Sequence, residues 1–306
     1  MQEDSKRYAH PVVRGVKYTA MLPRGAALVL EGGGTRGFYT SGVFEAFMDE
    51  GIMFPYIIGV SAGAANALTY IAGQRGRSRI IAEHYAGDPR YVGLRNLLLR
   101  GSIFGFGFMF DTIPNEYLFW DREMFEAADL RFLTGATDCE TGEAVWFEKS
   151  DIEPDFGAVL ASCSVPLISR VARFRGRAYM DGGVAAPIPI EKSIADGNTF
   201  HVVVLTRNAG YTKPPFEHRH MMKLVYRKYP KLTEAMLRRH EVYNRQLALC
   251  EQLEREGRAL IIRPLKPLAV GRTASDTAKL LALYDEGHAE GAEAVKRMLE
   301  ARERRG

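Results

Sequence analysis

Residues 26–37 read Ala-Ala-Leu-Val-Leu-Glu-Gly-Gly-Gly-Thr-Arg-Gly, and residues 55–63 read Pro-Tyr-Ile-Ile-Gly-Val-Ser-Ala-Gly. Each begins as an apolar run of strand length, breaks at small residues and passes into a helical pattern, over 38–50 and from 62 to about 72. Two strand–loop–helix units in succession predict parallel strands joined by crossover helices, and so an α/β layered fold. Working outward, 201–206 and 259–262 are further candidate strands. Residues 130–137 and 143–147 flank Glu140-Thr141-Gly142, and 171–174 and 178–180 flank Arg175-Gly176, both in the manner of hairpins. Residues 232–256 and 277–302, rich in Leu, Glu and Arg, read as long helices.

Composition narrows the class. The chain has 306 residues, 46% hydrophobic and 25% charged, which is ordinary for a globular protein and excludes wholesale disorder. Three scattered cysteines, Cys139, Cys163 and Cys250, suit neither a disulfide framework nor a zinc site and fit a reducing compartment. No run of 18 apolar residues predicts a spanning helix, and residues 1–7 lack the apolar core of a signal peptide. The expected location is cytoplasmic, with peripheral membrane contact left open. Net charge is +4, and residues 213–231 concentrate it, with six Lys or Arg against one Glu. No repeat or linker divides the chain. The expected organisation is an N-terminal extension at 1–24, a main domain at 25–212 and a helical C-terminal region at 213–306 packed on the same domain.

The run Gly59-Val60-Ser61-Ala62-Gly63 is a G-x-S-x-G between a strand and a helix. A serine at such a sharp turn projects its hydroxyl above the sheet, and small residues two positions either side permit the strain. The following helix points its N-terminal N–H groups and dipole at a developing oxyanion. A glycine-rich turn with an incidental serine is the competing reading. Upstream, Gly32, Gly34 and Gly37 satisfy G-x-G-x-x-G, yet the strand where a ribose-binding acid should stand ends in Gly59-Val60-Ser61. The loop also lacks the Lys-Ser/Thr pair of an ATPase phosphate loop. Backbone donors for an oxyanion explain the glycines better, each worth about 3–4 kcal/mol of barrier.

A nucleophilic serine needs a base. Of seven histidines, His201 opens a strand, His84, His240 and His288 fall in helical stretches, and His218 and His220 lie in the basic segment. None has an informative setting. Asp181, in Met180-Asp181-Gly182-Gly183 at a strand end, is the alternative, with two glycines leaving its carboxylate uncrowded.

Together the glycine loop 32–37, the elbow 59–63 and Asp181-Gly182-Gly183 resemble the patatin-like phospholipases. Ala161-Ser162-Cys163-Ser164-Val165-Pro166 is similar to that family's Ala-Ser-x-x-x-Pro segment, and Thr137–Gly142 to its short hairpin. The resemblance covers about residues 25–210. It implies a three-layer α/β/α sandwich with a mostly parallel central sheet, and a Ser–Asp dyad without histidine that hydrolyses lipid acyl esters. No clustered carboxylate loop suggests calcium, and no cofactor or metal is expected. By position Ser61 is the nucleophile, with Gly59 and Gly63 forming its elbow, and Asp181 is the base, followed by Gly182 and Gly183. The loop Gly32, Gly33, Gly34, Thr35, Arg36 and Gly37 supplies the oxyanion hole, its amides around Gly33 and Gly34 and Arg36 flanking. Two positions depart from the pattern. Glu31 stands where Asp often precedes the glycines, and Pro187 stands where many members carry an Asn that supports the aspartate. Partial burial is expected to raise the Asp181 pKa into a useful range for a base.

Two segments bear on lipid access. Residues 97–110 interleave Leu97, Leu98, Leu99, Ile103, Phe104, Phe106, Phe108, Met109 and Phe110 with glycines, as a flap, an acyl-chain wall or a packed core loop. Residues 216–229 set Arg219, Lys223 and Arg227 at four-residue spacing, with Met222, Val225, Tyr226 and Tyr229 on another face. That pattern suits an anionic membrane surface, or a surface helix packed on the domain. No nucleic-acid module surrounds it. A histidine-dependent α/β-hydrolase acting as esterase or thioesterase, and a catalytically silent lipid-binding protein, remain as alternatives.

Overall fold

The computed structural model describes residues 8–10, 13–152, 155–217 and 219–303; the stretch 1–7 and His218, both considered above, lie outside the described residues. The chain runs through β1 (Ala20–Met21), β2 (Ala26–Leu30), a 3-10 turn over Gly34–Arg36, α1 (Gly37–Asp49), β3 (Ile52–Met53), β4 (Tyr56–Val60) and α2 (Ala62–Ile71). A long crossover holds α3 (Arg77–His84), α4 (Leu94–Arg100), a π-helical segment Phe108–Tyr117 and α5 (Arg122–Ala127). Then come β5 (Arg131–Asp138), β6 (Ala144–Glu148), α6 (Gly157–Ser162), β7 (Ala172–Phe174), β8 (Arg177–Asp181), α7 (Ile190–Ala195) and β9 (Phe200–Val204). The last third is α8 (Arg219–Val225), α9 (Pro230–Arg255), β10 (Ala259–Ile262) and α10 (Thr277–Glu303).

The main sheet has the order β10-β9-β2-β4-β5-β8-β7, with β6 paired to β5. Pairing is parallel from β10 to β5 and antiparallel around β6, β7 and β8. Strands β2 and β4 are buried along their whole length, as expected of a parallel sheet covered on both faces. Alternate residues divide between the two faces. Leu28, Leu30, Ile57, Val202 and Val204 pack with Val43, Phe47, Ala67 and Ile71 of α1 and α2. Ala27, Val29, Ile58, Val203 and Ile261 pack with Ile190, Tyr243, Leu247 and Cys250 of α7 and α9. These are three layers, α/β/α.

The C-terminal region is built into this architecture: β10 lies at the edge of the sheet and α9 covers one of its faces. Among the described residues no helix is long and apolar enough to cross a membrane. The basic amphipathic segment is shorter than its pattern predicts, α8 ending at Val225. Met222 and Tyr226 are buried with Met180, Val184 and Met236, whereas Val225, expected on their face, is exposed beside Met221 and Leu224.

One register places the site. β4 runs parallel to β5 and stops with Val60 opposite Gly135, whereas β8 runs antiparallel and stops with Asp181 opposite Ala136. Since β6 occupies the far side of β5, both strands lie on the same side. The end of β4 therefore meets the end of β8 head-on, which brings Ser61, the residue after Val60, close to Asp181, the last residue of β8.

Candidate active site

Ser61 follows β4 directly and caps α2 with φ 54° and ψ −131°, a conformation that strains any residue carrying a Cβ. The elbow is pressed against β2: a Cβ on Gly63 would sit 2.6 Å from the Glu31 carbonyl oxygen. The Ser61 N–H donates to Ser162 Oγ at 2.8 Å, and Ser162 Oγ donates to the Gly135 carbonyl at 2.5 Å. Ser162 thus ties the elbow to the neighbouring strand. The same segment holds the other strand end, since the Asp181 N–H donates to Ser164 O at 2.8 Å and the Gly182 N–H to Ser162 O at 3.2 Å. Thr137 Oγ1 donates to the Asp181 carbonyl at 2.9 Å.

Ser61 and Asp181 line the same cavity, each residue only 5% exposed, and the Ser61 hydroxyl is near enough to act on the carboxylate's pKa. Burial raises the Asp181 pKa above the ordinary carboxylate range. The Ser61 hydroxyl, Arg239, the Gly183 N–H and Arg272 oppose that rise without cancelling it. Asp181 Oδ1 accepts from the Gly183 N–H at 2.8 Å, and Arg239 Nε donates to the Gly183 carbonyl. Support that Pro187 cannot give therefore arrives from α9, a contribution that sequence spacing did not signal.

The glycine loop lies against the serine, a Cβ on Gly32 falling 2.8 Å from Ser61 Cβ. Glu31, buried behind it, accepts from the Thr206 N–H at 2.7 Å, and Thr206 Oγ1 donates to the Gly32 carbonyl at 3.2 Å. The longer acid thus anchors the loop to the end of β9. The expected set of loop amides is narrower than the run 32–37. Thr35 donates its N–H to the Arg272 carbonyl at 2.9 Å, and the Gly37 N–H turns back to Gly34 and Thr35 carbonyls. Only Gly32, Gly33 and Gly34 keep amides without a backbone acceptor among the described residues. The Arg272 contact also explains Gly34: its φ is +59°, and a Cβ there would meet the Arg272 oxygen at 2.3 Å.

Two cavities of similar volume, about 130 and 150 Å³, open on either side of Ser61, which lines both. The first is walled by Phe38, Phe104, Phe106, Met109, Phe110 and Phe156. Residues 97–110 divide accordingly. Their aromatic half forms this wall, Phe108 packs in a small core with Tyr85 and Leu118, and Leu98 and Leu99 of α4 are exposed. The second cavity contains Asp181, the glycine loop, Arg36, Arg207, Lys213, Arg239 and Arg272. No described histidine lines either cavity. His10 stacks on His84, His201 contacts Ser193, His240 the Leu237 carbonyl and His288 Asp49. The histidine-dependent alternative has no base at this serine among the described residues.

Comparison with known proteins agrees with the fold. The family model for patatin-like phospholipase matches residues 28–194, and the chain belongs to that family. A second model, a domain of unknown function (DUF6363), matches residues 229–302. The uncharacterized protein YjjU of Escherichia coli (strain K12) is 25% identical over 198 residues, which are 60% of this chain and 52% of YjjU. The uncharacterized NTE family protein Rv1063c of Mycobacterium tuberculosis is 26% identical over 195 residues, 61% of this chain and 50% of its own. The chain thus spans about half the length of the curated relatives it matches. Among solved structures, VipD from Legionella pneumophila aligns over 94% of this chain and 71% of its own, at 12% identity and a TM-score of 0.45.

Proposed function

We propose that the protein is a serine acyl hydrolase that cleaves ester bonds of phospholipids or related lipids through a Ser61–Asp181 dyad and an acyl-enzyme. One observation carries this reading: a serine on a strained elbow shares a cavity with a buried aspartate, beside loop amides that lack backbone acceptors. In the first half-reaction Ser61 Oγ attacks the ester carbonyl while Asp181 takes its proton and passes it to the departing alkoxide. The N–H groups of Gly33 and Gly34 hold the oxyanion, helped by the N-terminus of α2. Water, deprotonated by Asp181, then attacks the acyl-enzyme, and Ser61 leaves with the proton. The acyl chain occupies the aromatic cavity, whose one charged lining residue, Arg77, already donates to the Phe119 and Leu118 carbonyls and to Thr69.

The protein meets its substrate at an anionic membrane surface through α8, where exposed Met221, Leu224 and Val225 stand beside Lys223 and Arg227. The direct test of the hydrolase is labelling with a fluorophosphonate in lipid micelles, followed by peptide mapping. The expected adduct is on Ser61, absent in Ser61→Ala and strongly reduced in Asp181→Asn. Folded wild-type protein that takes no label overturns the reading in favour of a silent lipid-binding protein.

A further inference from the structure

The second cavity has a charge balance that ester hydrolysis alone does not require. Arg36, Arg207, Lys213, Arg239 and Arg272 line it together with only two carboxylates, Glu31 and Asp181. Among the described residues none of the five cations forms an ion pair. Arg36 is 3% exposed and its Nε has no hydrogen-bond partner, a costly state for a buried donor. The cations also oppose one another. Burial, with Arg207 close by, lowers the Arg36 pKa to about 10. Burial and then Arg272 lower Arg239 to about 10, and burial and then Arg239 lower Lys213 to about 7. A protein that holds this many like charges together, partly out of water, is complementary to an anion that none of its own groups supplies.

The same cavity offers a ligand cation few free partners. Glu31 is committed to the Thr206 N–H, and Asp181 to the Gly183 N–H. Two of its three aromatic residues, Tyr211 and Tyr243, already hold the protein's own charges where a quaternary ammonium would sit. The Arg207 guanidinium lies 4.4 Å from the Tyr211 ring centre and the Lys213 ammonium 5.1 Å from that of Tyr243. Four of the five cations, Arg36 excepted, lie beyond residues 28–194, and Arg239 and Arg272 fall within 229–302, the region matched to a domain of unknown function.

We propose that the C-terminal region completes a phosphate subsite beside Ser61, which selects acyl esters whose alcohol carries a compact phosphate monoester over neutral or choline-bearing esters. This rests on the acyl-hydrolase reading for the placement of the ester at Ser61. The acyl chain then enters the aromatic cavity and the phosphate the cationic one, with the carbonyl between them at Ser61, which lines both along with Gly34.

The test is binding, measured in Ser61→Ala so that it does not depend on turnover. The probes are 1-decanoylglycerol, its 3-phosphate and its 3-phosphocholine. The 3-phosphate is expected to bind at least about tenfold tighter than either companion. In Arg207→Gln with Arg272→Gln that preference falls to within about threefold while affinity for 1-decanoylglycerol is unchanged, and the paired Arg→Lys changes restore part of it. Equal binding of the 3-phosphate and 3-phosphocholine overturns the proposal, as does an equal loss on all three probes, which marks a structural role. Inorganic phosphate separates the sources. Competitive displacement of the 3-phosphate supports a shared subsite, whereas inorganic phosphate that binds the cavity's cations, as Arg207→Gln with Arg272→Gln reports, yet leaves the 3-phosphate affinity unaltered places the lipid phosphate elsewhere and overturns it. A wild-type protein that hydrolyses no ester, with the binding preference intact, removes the hydrolase reading and leaves the subsite.

Discussion

The two cavities that meet at Ser61 are opposites in chemistry and in origin. The aromatic one is lined only by residues between Gly34 and Cys163, inside the segment that matches the family. Its one buried cation, Arg77, is satisfied by backbone carbonyls and a threonine hydroxyl, so it presents little charge. The cationic one gathers residues from Glu31 to Arg272, and its charge comes mainly from beyond that segment. The difference teaches that the reaction centre and the apolar wall come from one continuous stretch of chain. The lining on the other side is supplied largely by the last third, which reaches back over the glycine loop through Arg272 and to the turn after Asp181 through Arg239.

If the dyad serves both sides, its loss must be blind to the ester's alcohol. Asp181→Asn is expected to lower kcat about a thousandfold or more on neutral and phosphorylated esters alike, since members of such a unit act together. A loss confined to one class would break the symmetry. The raised pKa adds a signature in pH. The acid limb of kcat/KM should lie above the ordinary carboxylate range, because the base works only when ionised. Stability moves the other way. A carboxyl whose folded pKa is raised contributes fully below the unfolded value of about 4 and loses that contribution as pH rises through the folded one. Asp181→Asn should therefore unfold at a higher temperature than wild type at pH 8, with the gap closing toward pH 4 in a thermal melt series.

A smaller effect separates the two cavities. Ala65 lines only the aromatic one, and Ala65→Phe should fill it. Hydrolysis of long-chain esters is then expected to fall about tenfold to a hundredfold with acetate esters little changed, whatever the head group. A shift in head-group preference instead would mean that the cavities are not independent. The smallest effect belongs to the rim. Phe216 and Met222 line the cationic cavity and flank the basic surface of α8. Lys223→Glu with Arg227→Glu should weaken binding to anionic vesicles about tenfold at low salt and leave the hydrolysis of a soluble ester unchanged. Unchanged vesicle binding removes α8 as the membrane contact.

Much of this was legible locally. The runs at 26–30, 55–60, 201–206 and 259–262 became strands of the main sheet, because fully buried parallel strands are written as continuous apolar residues. The long helices at 232–256 and 277–302 appeared close to their expected bounds, since their periodicity spans many turns. The short helices α3 to α7 were not read, being too brief to build a period. The 216–229 pattern overran its helix, because alternating basic and apolar residues at such short range do not say which side meets the domain.

The sequence by itself determined the elbow, the glycine loop and the strand ends that bear Ser61 and Asp181, since each depends on backbone conformations that only particular neighbours allow. It did not determine who stands around them. Ser162 bonding to the elbow, Thr35 losing its amide to Arg272, Arg239 reaching the turn after Asp181, and four cations converging from α9 and two loops are meetings of residues far apart in the chain. Charge repulsion gives no local pattern. Only the packing of α9, the loop after β9 and the segment before α10 brings those side chains to one cavity, so tertiary structure alone decided what lies across the serine from its aromatic wall.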